Sequence, residues 1–276
     1  MRIYISADME GVTGLVDADD VQPGGRDYER GRRMMAEDVN AAIRGALSAG
    51  ATDITVNDAH GPMRNLLPEF LHPAARLLRG KPKHMLMLEG LAPEHDAVIC
   101  VGYHSRAGAL GVLSHSFMGH EIEDMWLDSR PVGEIGLTHA TAAAIGVPVT
   151  VLTGDDCACT EMTDWDASVT PVPVKYARDR FAADLRPTEE ARMAIEEAVA
   201  AALSAPRTVT AVPSAPSTLT VRWQSASVAS TLLGIPGVTS ADTRTVQAQG
   251  TLPGLYRLFG VWMRVAASLT NQQPYC

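Results

Sequence analysis

Paired cysteines are the first feature that this sequence lacks. Of its four cysteines, Cys157 and Cys159 are separated by one residue, which is not the CxxC spacing of metal ribbons and redox motifs. Cys100 lies in an apolar run and is interpreted as a small core residue. We therefore expect reduced thiols without a catalytic role, as is usual in a cytoplasmic chain.

Long apolar runs and broad basic clusters are also missing. No run approaches the roughly 20 residues of a membrane-spanning helix, and the amino terminus lacks the apolar core of a signal peptide. The net charge is -9 at pH 7, and the densest basic cluster, residues 30–33, contains only three arginines. Phosphate binding needs a larger basic face. We expect a cytoplasmic protein that binds neither membranes nor nucleic acid.

The sequence also lacks two common catalytic motifs. Residues 23–26, Pro-Gly-Gly-Arg, are rich in glycine but lack the Lys-Ser/Thr pair and the preceding strand of a phosphate-binding loop. No GxSxG pentapeptide is present, which argues against an α/β-hydrolase serine nucleophile. A different kind of active site has to be sought.

Strand and helix patterns alternate along the first two thirds of the chain. Short apolar runs predict strands, and apolar residues at helical spacing predict the helices between them. This alternation predicts an α/β fold, a three-layer domain with a mainly parallel central sheet. The predicted strands are 3–8, 54–57, 85–88, 97–101, 125–127 and 149–152, the helices are 28–49 and 134–145, and a helical or turn segment is expected near 65–71.

The composition changes in the last third. A strong helix is predicted at 189–203, and residues 204–216 are rich in Pro, Ser, Thr and Ala, as in a connector. Alternating strands at 219–223 and 243–249 and a helix at 254–269 follow. We therefore predict a metal-binding α/β catalytic domain at 1–206 and a smaller α+β lobe at 207–276.

Three of the predicted strands end in residues that commonly bind metal ions. Asp8 and Glu10 follow the first strand, His60 follows the second, and His104 follows the strand at 97–101. Ligands of open α/β sheets bind at the carboxyl ends of the strands. Carboxylates with imidazoles suit a zinc- or manganese-type hydrolytic centre. Taken singly, each residue could instead cap a turn or be solvated; their convergence favours a metal site.

The position of Asp8 suggests more than one ion. A carboxylate between two cations is the usual means of holding a two-metal site, and Asp8 sits at the strand end, where it could bridge. Asp58, just before His60, could orient that histidine.

Three further residues are weaker candidates. His115 follows a glycine-rich stretch and could act as a general acid or base, although a surface histidine is the alternative. Glu134 begins a predicted helix, where an acid is favoured by the helix dipole alone. Asp155 follows a strand and could hold a substrate ammonium or simply form a turn.

At these residues the chain resembles the D-aminopeptidase family of metallopeptidases, M55. The resemblance rests on the combination and order of several short segments across the first two thirds of the chain. They are residues 6–12 (Ser-Ala-Asp-Met-Glu-Gly-Val), 28–32 (Tyr-Glu-Arg-Gly-Arg), 56–60 (Val-Asn-Asp-Ala-His), 102–104 (Gly-Tyr-His), 114–116 (Ser-His-Ser), 130–134 (Arg-Pro-Val-Gly-Glu) and 154–156 (Gly-Asp-Asp).

The resemblance implies a site with two zinc ions per subunit. Asp8 would bridge the ions, and the remaining ligands would be Glu10, His60, His104 and Glu134. The family's catalytic histidine falls on His115. The family also implies a ring-shaped homo-oligomer that encloses its active sites.

We therefore predict a zinc-dependent aminopeptidase that hydrolyses short peptides with an N-terminal D-amino acid, such as D-Ala-D-Ala. Two alternatives stay open. One is a dinuclear hydrolase of an L-peptide or another small amide, since nothing in the sequence encodes chirality. The other is a non-catalytic peptide- or metal-binding relative on the same scaffold.

Overall fold

Two β-sheets and the helices packed on them make up the computed structural model, which describes residues 1–205 and 216–270. Most of the predicted connector at 204–216, the fourth cysteine at 276 and residues 271–276 lie outside the described part. In chain order the elements are β1 (Arg2–Ala7), α1 (Ala18–Val21), α2 (Tyr28–Ser48), β2 (Asp53–Asp58), β3 (Ala75–Leu78), β4 (Ala97–Tyr103), β5 (Ile122–Leu127), β6 (Arg130–Pro131), α3 (Glu134–Ile145), β7 (Val149–Asp155), α4 (Asp156–Trp165), β8 (Thr170–Asp179), β9 (Ala182–Leu185), α5 (Thr188–Ser204), β10 (Ser217–Trp223), α6 (Ala226–Leu232), β11 (Thr239–Asp242), β12 (Thr245–Gly250) and α7 (Leu252–Thr270).

The larger sheet has seven strands in the order β3-β2-β1-β4-β7-β8-β9, and all neighbours are parallel except β8 and β9. Every residue of β4 and β7 is buried, which explains why β4 is a nearly continuous apolar run rather than an alternating one. The predicted α/β class with a mainly parallel sheet is confirmed.

Helices cover both faces of this sheet. Ile3 and Ile5 of β1 pack into one core with residues of α2 and α5, whereas Tyr4 points to the other core, which contains residues of α3 and α7. Successive side chains of a strand face opposite sides, so a single strand contributes to both cores. The result is the three-layer arrangement expected for alternating strands and helices.

The smaller sheet is antiparallel, with the order β11-β12-β10-β5-β6. Its two central pairings join β10 to β12 and to β5. Three of its strands follow residue 216, but β5 and β6 precede α3 in the chain. The division at 206/207 stays a prediction, and the second sheet is built from strands on both sides of it.

At one position of the larger sheet, the direction in which successive strands are added reverses. From β1 the chain adds β2 and β3 on one side, and it then adds β4, β7 and β8 on the other. The order therefore reverses between β1 and β4, and the crevice at the carboxyl ends of these two strands is where open α/β sheets bind ligands. Asp8 follows β1 and His104 follows β4.

The prediction of a strand at 85–88 is wrong. Leu86–Leu88 form a short 3-10 helix, and Leu86 has a positive φ of 45°. The segment is buried against β1 and β2. Ser6 Oγ of β1 donates to Met87 O, and Asn57 Nδ2 of β2 donates to Leu86 O. The segment is apolar because it is buried. An apolar run of this length is equally consistent with a strand and with a buried turn.

Three elements at the far side of the sheet, α4, β8 and β9, were not predicted. The predicted turn at Asp155 is instead the N-cap of α4, and β8 extends the sheet beyond β7. The α4 sequence is short and polar on average, so its apolar spacing was weak.

Within residues 1–205 and 216–270, no helix combines the length and apolarity needed to cross a lipid bilayer.

Gly102 allows β1 and β4 to approach at the crevice. It has a φ of +73°, and a Cβ on it would overlap the carbonyl oxygen of Asp8. Gly11 N donates to Gly102 O at 2.8 Å, and Asp8 N donates to Val101 O at 2.8 Å. A residue without a side chain is thus required where the loop after β1 crosses the end of β4.

We expect Gly102→Ala to destabilise the protein by about 2–4 kcal/mol, because the positive φ costs about 1–2 kcal/mol and the overlap with Asp8 adds to it. Gly146→Ala is the matched control: its φ is +95°, and a Cβ there would meet no atom within 4 Å. Urea unfolding of both variants separates the two contributions. Equal losses of unfolding free energy would show that the close approach is unimportant.

Candidate metal centre

All six predicted site residues lie together at the crevice. Asp8 and Glu10 come from the loop after β1, His60 and His104 follow β2 and β4, Glu134 is the first residue of α3, and His115 lies on the loop between β4 and β5. The five predicted ligands are between 2% and 8% exposed. Their roles as ligands stay a prediction, which the distances between their side chains support.

Asp8 lies between two groups of side chains. Its Oδ1 is 3.3 Å from His60 Nδ1, which is also 2.9 Å from Glu10 Oε2. Its Oδ2 is 3.5 Å from His104 Nε2, which is also 3.2 Å from Glu134 Oε1. The ligand-type atoms of each group fall within 4.8 Å of one another. One carboxylate therefore presents an oxygen to each of two clusters of donors.

Backbone carbonyls fix the orientation of the imidazole rings. His60 Nε2 is 2.9 Å from Val21 O, and His104 Nδ1 is 2.9 Å from Ser105 O. Because a carbonyl only accepts, each of these ring nitrogens carries the hydrogen. The other nitrogen of each ring is then the free electron-pair donor, and it points into the cluster, as in metal-ligating histidines.

Asp58 does not reach the ring of His60. Its two oxygens accept from Asn65 Nδ2 at 2.8 Å and from Leu66 N at 2.7 Å, and Asn65 Nδ2 also lies 2.8 Å from His60 O. Asp58 therefore fixes the backbone turn that carries His60. The expected direct contact with the imidazole is not observed.

When the imidazoles are neutral, several buried polar atoms of the cluster have no hydrogen-bond partner among the described residues. They include Asp8 Oδ2, Glu10 Oε2 and His104 Nε2. A buried polar atom without a partner costs free energy and calls for an explanation. Electron-pair donors that converge on a common point without hydrogen atoms between them fit a cation.

The pKa values of these groups also indicate that the cluster needs positive charge. Burial and the neighbouring Glu10 raise the pKa of Asp8 to about 7. Burial alone would lower the pKa of His60 and of His104, but the carboxylates of Glu10 and Glu134 raise both well above the usual value. Buried carboxylates at this distance from one another need positive charge, which protons or divalent ions can supply.

His115 differs from the other five residues. Its side chain is 18% exposed, against 9% or less for the others, and its Nε2 is 3.9–4.0 Å from Glu134 Oε1 and Glu10 Oε1. Its ring stacks on His104 with the centroids 4.2 Å apart. Burial and the adjacent His104 lower the pKa of His115, and Nδ1 donates to Leu113 O, so the neutral ring presents Nε2 as an acceptor.

Asp155 supports the loop that carries His115. Its oxygens accept from Val112 N at 2.6 Å and from Ala158 N at 2.7 Å, and the residue is 1% exposed. The second contact caps α4. The suggestion that Asp155 holds a substrate ammonium is therefore wrong, because both oxygens are used inside the protein.

Lys175 is a functional-site residue that sequence analysis missed. It is fully buried on β8, and its ammonium donates to the carbonyls of Glu10 at 2.6 Å, Val12 at 2.9 Å and Leu15 at 2.5 Å. Burial lowers its pKa to about 8, and Asp155 acts in the opposite direction. A lone lysine within an apolar strand was the available signal, but nothing local indicated that it contacts residues 160–165 positions away.

Fold and site together define an α/β metallohydrolase of the class that holds metal ions at the switch point of a parallel sheet. The family described as Peptidase_M55, D-aminopeptidase, matches residues 1–260. A D-aminopeptidase of Bacillus subtilis (strain 168) is 40% identical over 198 residues, which are 71% of this chain and 72% of that protein. The chain belongs to the D-aminopeptidase family, and the resemblance found in the sequence is confirmed.

A solved structure agrees with this assignment. The structure described as Zn-dependent D-aminopeptidase DppA from Bacillus subtilis, a self-compartmentalizing protease, matches with a TM-score of 0.91 and 33% identity. The match covers 100% of this chain and 100% of that chain. The similarity therefore includes both sheets.

We expect Lys175→Met to lower the free energy of unfolding by about 3 kcal/mol or more, because three buried carbonyl oxygens lose their donor and each unsatisfied acceptor costs about 1–3 kcal/mol. Lys81→Met is the matched control, since it removes an exposed lysine. Thermal and urea unfolding of both variants give the comparison. Two variants of equal stability would contradict the role assigned to Lys175.

Proposed function

We propose that this protein is a zinc-dependent aminopeptidase that cleaves short peptides with an N-terminal D-amino acid. The observation that carries the proposal is the double cluster around Asp8, in which both carboxylate oxygens face separate sets of donors. The family assignment and the full-length likeness to a zinc-dependent D-aminopeptidase support the reaction and the metal.

The donor set fits two zinc ions. One ion would be held by Glu10 and His60, the other by His104 and Glu134, with Asp8 shared between them. Carboxylate oxygens and imidazole nitrogens are the zinc ligands of hydrolytic sites, and the three buried carboxylates balance much of the charge of two divalent ions. When bound, zinc supplies a Lewis acid for the scissile carbonyl and lowers the pKa of water.

His115 is placed to move the proton. Its neutral Nε2 faces the cluster and can accept a proton from the attacking water. The resulting imidazolium is held by Leu113 O and lies near two carboxylates, and it can return the proton to the departing amine. Its side chain is the most exposed of the six, as expected of a group that contacts substrate.

We propose a ring-shaped homo-oligomer in the cytoplasm. The relative described as a self-compartmentalizing protease supports the assembly, as do the exposed apolar side chains of Tyr176, Phe181 and Leu185 on the edge hairpin β8–β9. Sedimentation of a lone monomer at micromolar concentration would contradict the ring, and recovery of the protein outside the cytoplasm would contradict the location.

The function is tested by hydrolysis of D-Ala-D-Ala and L-Ala-L-Ala with purified protein. We expect cleavage of the D-peptide, loss of cleavage with a chelator, and recovery on addition of zinc, because the reaction depends on the ions at the crevice. Cleavage of the L-peptide at an equal rate would replace the proposed substrate. Two bound ions without cleavage of either peptide would favour the non-catalytic alternative.

The separate roles of Asp8 and His115 are tested by zinc content. Asp8→Ala should lose both ions, because each cluster loses an oxygen. His115→Ala should retain both ions and lose turnover by roughly 100-fold or more, the usual contribution of an acid–base group. Elemental analysis and peptide turnover are measured on the same samples. Zinc loss in His115→Ala would make this residue a ligand, and two retained ions in Asp8→Ala would exclude the bridge.

A further inference from the structure

A cavity of about 520 Å³ opens onto the candidate metal centre. Asp8, Glu10, His60, His115 and Glu134 line one part of it. Much of the remaining wall is apolar and comes from distant parts of the chain: Met63, Leu86, Met87, Phe117, Met118 and Met263. A cavity of this size and composition is typical of a site for a small organic ligand.

Three cations line the same cavity although the chain carries a net charge of -9. Lys81 and Lys83 lie on the segment between β3 and the 3-10 helix at Leu86–Leu88, and Arg264 lies on α7. Lys83 is occupied inside the protein, since its ammonium donates to Asn57 Oδ1, Asp58 O and Leu78 O. The other two cations have to be accounted for.

Lys81 and Arg264 have no carboxylate partner in the described part of the chain. No hydrogen bond or ion pair of the Lys81 ammonium is found there, and Arg264 makes a single hydrogen bond, from Nη2 to Lys83 O at 3.0 Å. That bond anchors the guanidinium at the cavity and leaves its Nε and Nη1 donors available. Two unpaired cations therefore share a cavity with three buried carboxylates.

We propose that Lys81 and Arg264 bind the C-terminal carboxylate of a short peptide whose amino end lies at the metal centre. The inference rests on the proposed function and adds to it a subsite for the free carboxylate of the substrate. A peptide zwitterion carries an ammonium at one end and a carboxylate at the other, and this cavity offers carboxylates and cations in the same way. An arginine and a lysine are well suited to a carboxylate, since charge-assisted hydrogen bonds are the stronger ones.

The subsite would select for peptide length. Each residue of an extended chain spans at most about 3.3–3.6 Å, so only a short peptide can place its scissile bond at the centre and its free carboxylate in the same cavity. Longer peptides, and peptides blocked at the carboxyl end, would lose the interaction. The protein would thus act on di- and tripeptides rather than on the ends of long chains.

The interaction should affect KM more than kcat. The carboxylate keeps its charge through the reaction, so contacts to it stabilise the bound substrate and the transition state equally. Both cations are exposed at the cavity, which limits the effect to roughly tenfold.

The test compares D-Ala-D-Ala with its C-terminal amide, using the zinc-loaded full-length protein. We expect the wild type to prefer the free acid by roughly tenfold in kcat/KM, through KM. The double variant Lys81→Met/Arg264→Gln should have lost this preference. Arg257→Gln is the matched control, because it removes one exposed arginine from the same helix at a position that does not line the cavity.

The possible outcomes separate this inference from the proposed function. Equal cleavage of acid and amide by the wild type would overturn the subsite while leaving the aminopeptidase intact. A preference that persists in the double variant, or that Arg257→Gln also abolishes, would overturn it as well. If neither peptide is cleaved, the proposed function fails, and calorimetric binding of the two peptides decides the subsite: tighter binding of the acid that the double variant loses supports it, and equal binding overturns it.

Discussion

The carboxylates of Asp8, Glu10 and Glu134 are buried side by side, and they repel one another unless positive charge lies between them. This repulsion is the constraint on which the site depends. The negative charge of these carboxylates raises the pKa of both ligand-type histidines, and burial together with Glu10 raises the pKa of Asp8. A divalent ion relieves the repulsion more completely than a proton, since it carries twice the charge and can be shared by several donors. The electrostatic repulsion between the three buried carboxylates would therefore favour the binding of metal ions between them.

Much of the surrounding architecture keeps these charges from moving apart. Lys175 holds the loop of Glu10 by its carbonyls, Gly102 lets that loop cross the end of β4, and backbone carbonyls clamp the histidine rings. None of these contacts uses an electron pair that the six side chains direct into the cluster. They make the donor set rigid before anything binds, so that little ordering is left to be done on binding.

The site could be located from sequence because its residues are tied to strand ends. A parallel strand is recognisable as a short apolar run, and the residue after it must lie at the carboxyl edge, which is how Asp8, His60 and His104 were found. The 3-10 helix at 86–88, the N-cap role of Asp155 and the buried Lys175 could not be found in this way. The 3-10 helix and Lys175 depend on partners distant in sequence, about which local periodicity carries no information, and the cap of α4 was missed because the apolar spacing of that short helix is weak.

The cavity is formed by the loops and strand ends that carry the six site residues and by α7, which adds only to its wall. Residues before 135 supply all six side chains of the centre. The α7 residues Gly260, Met263, Arg264 and Ala267 line the cavity but supply no candidate metal ligand. Substitutions on this face of α7 would alter the shape and charge of the cavity and leave the donor set in place. Substitutions on α7 therefore change which substrates fit the cavity without changing the six side chains at the sheet edge.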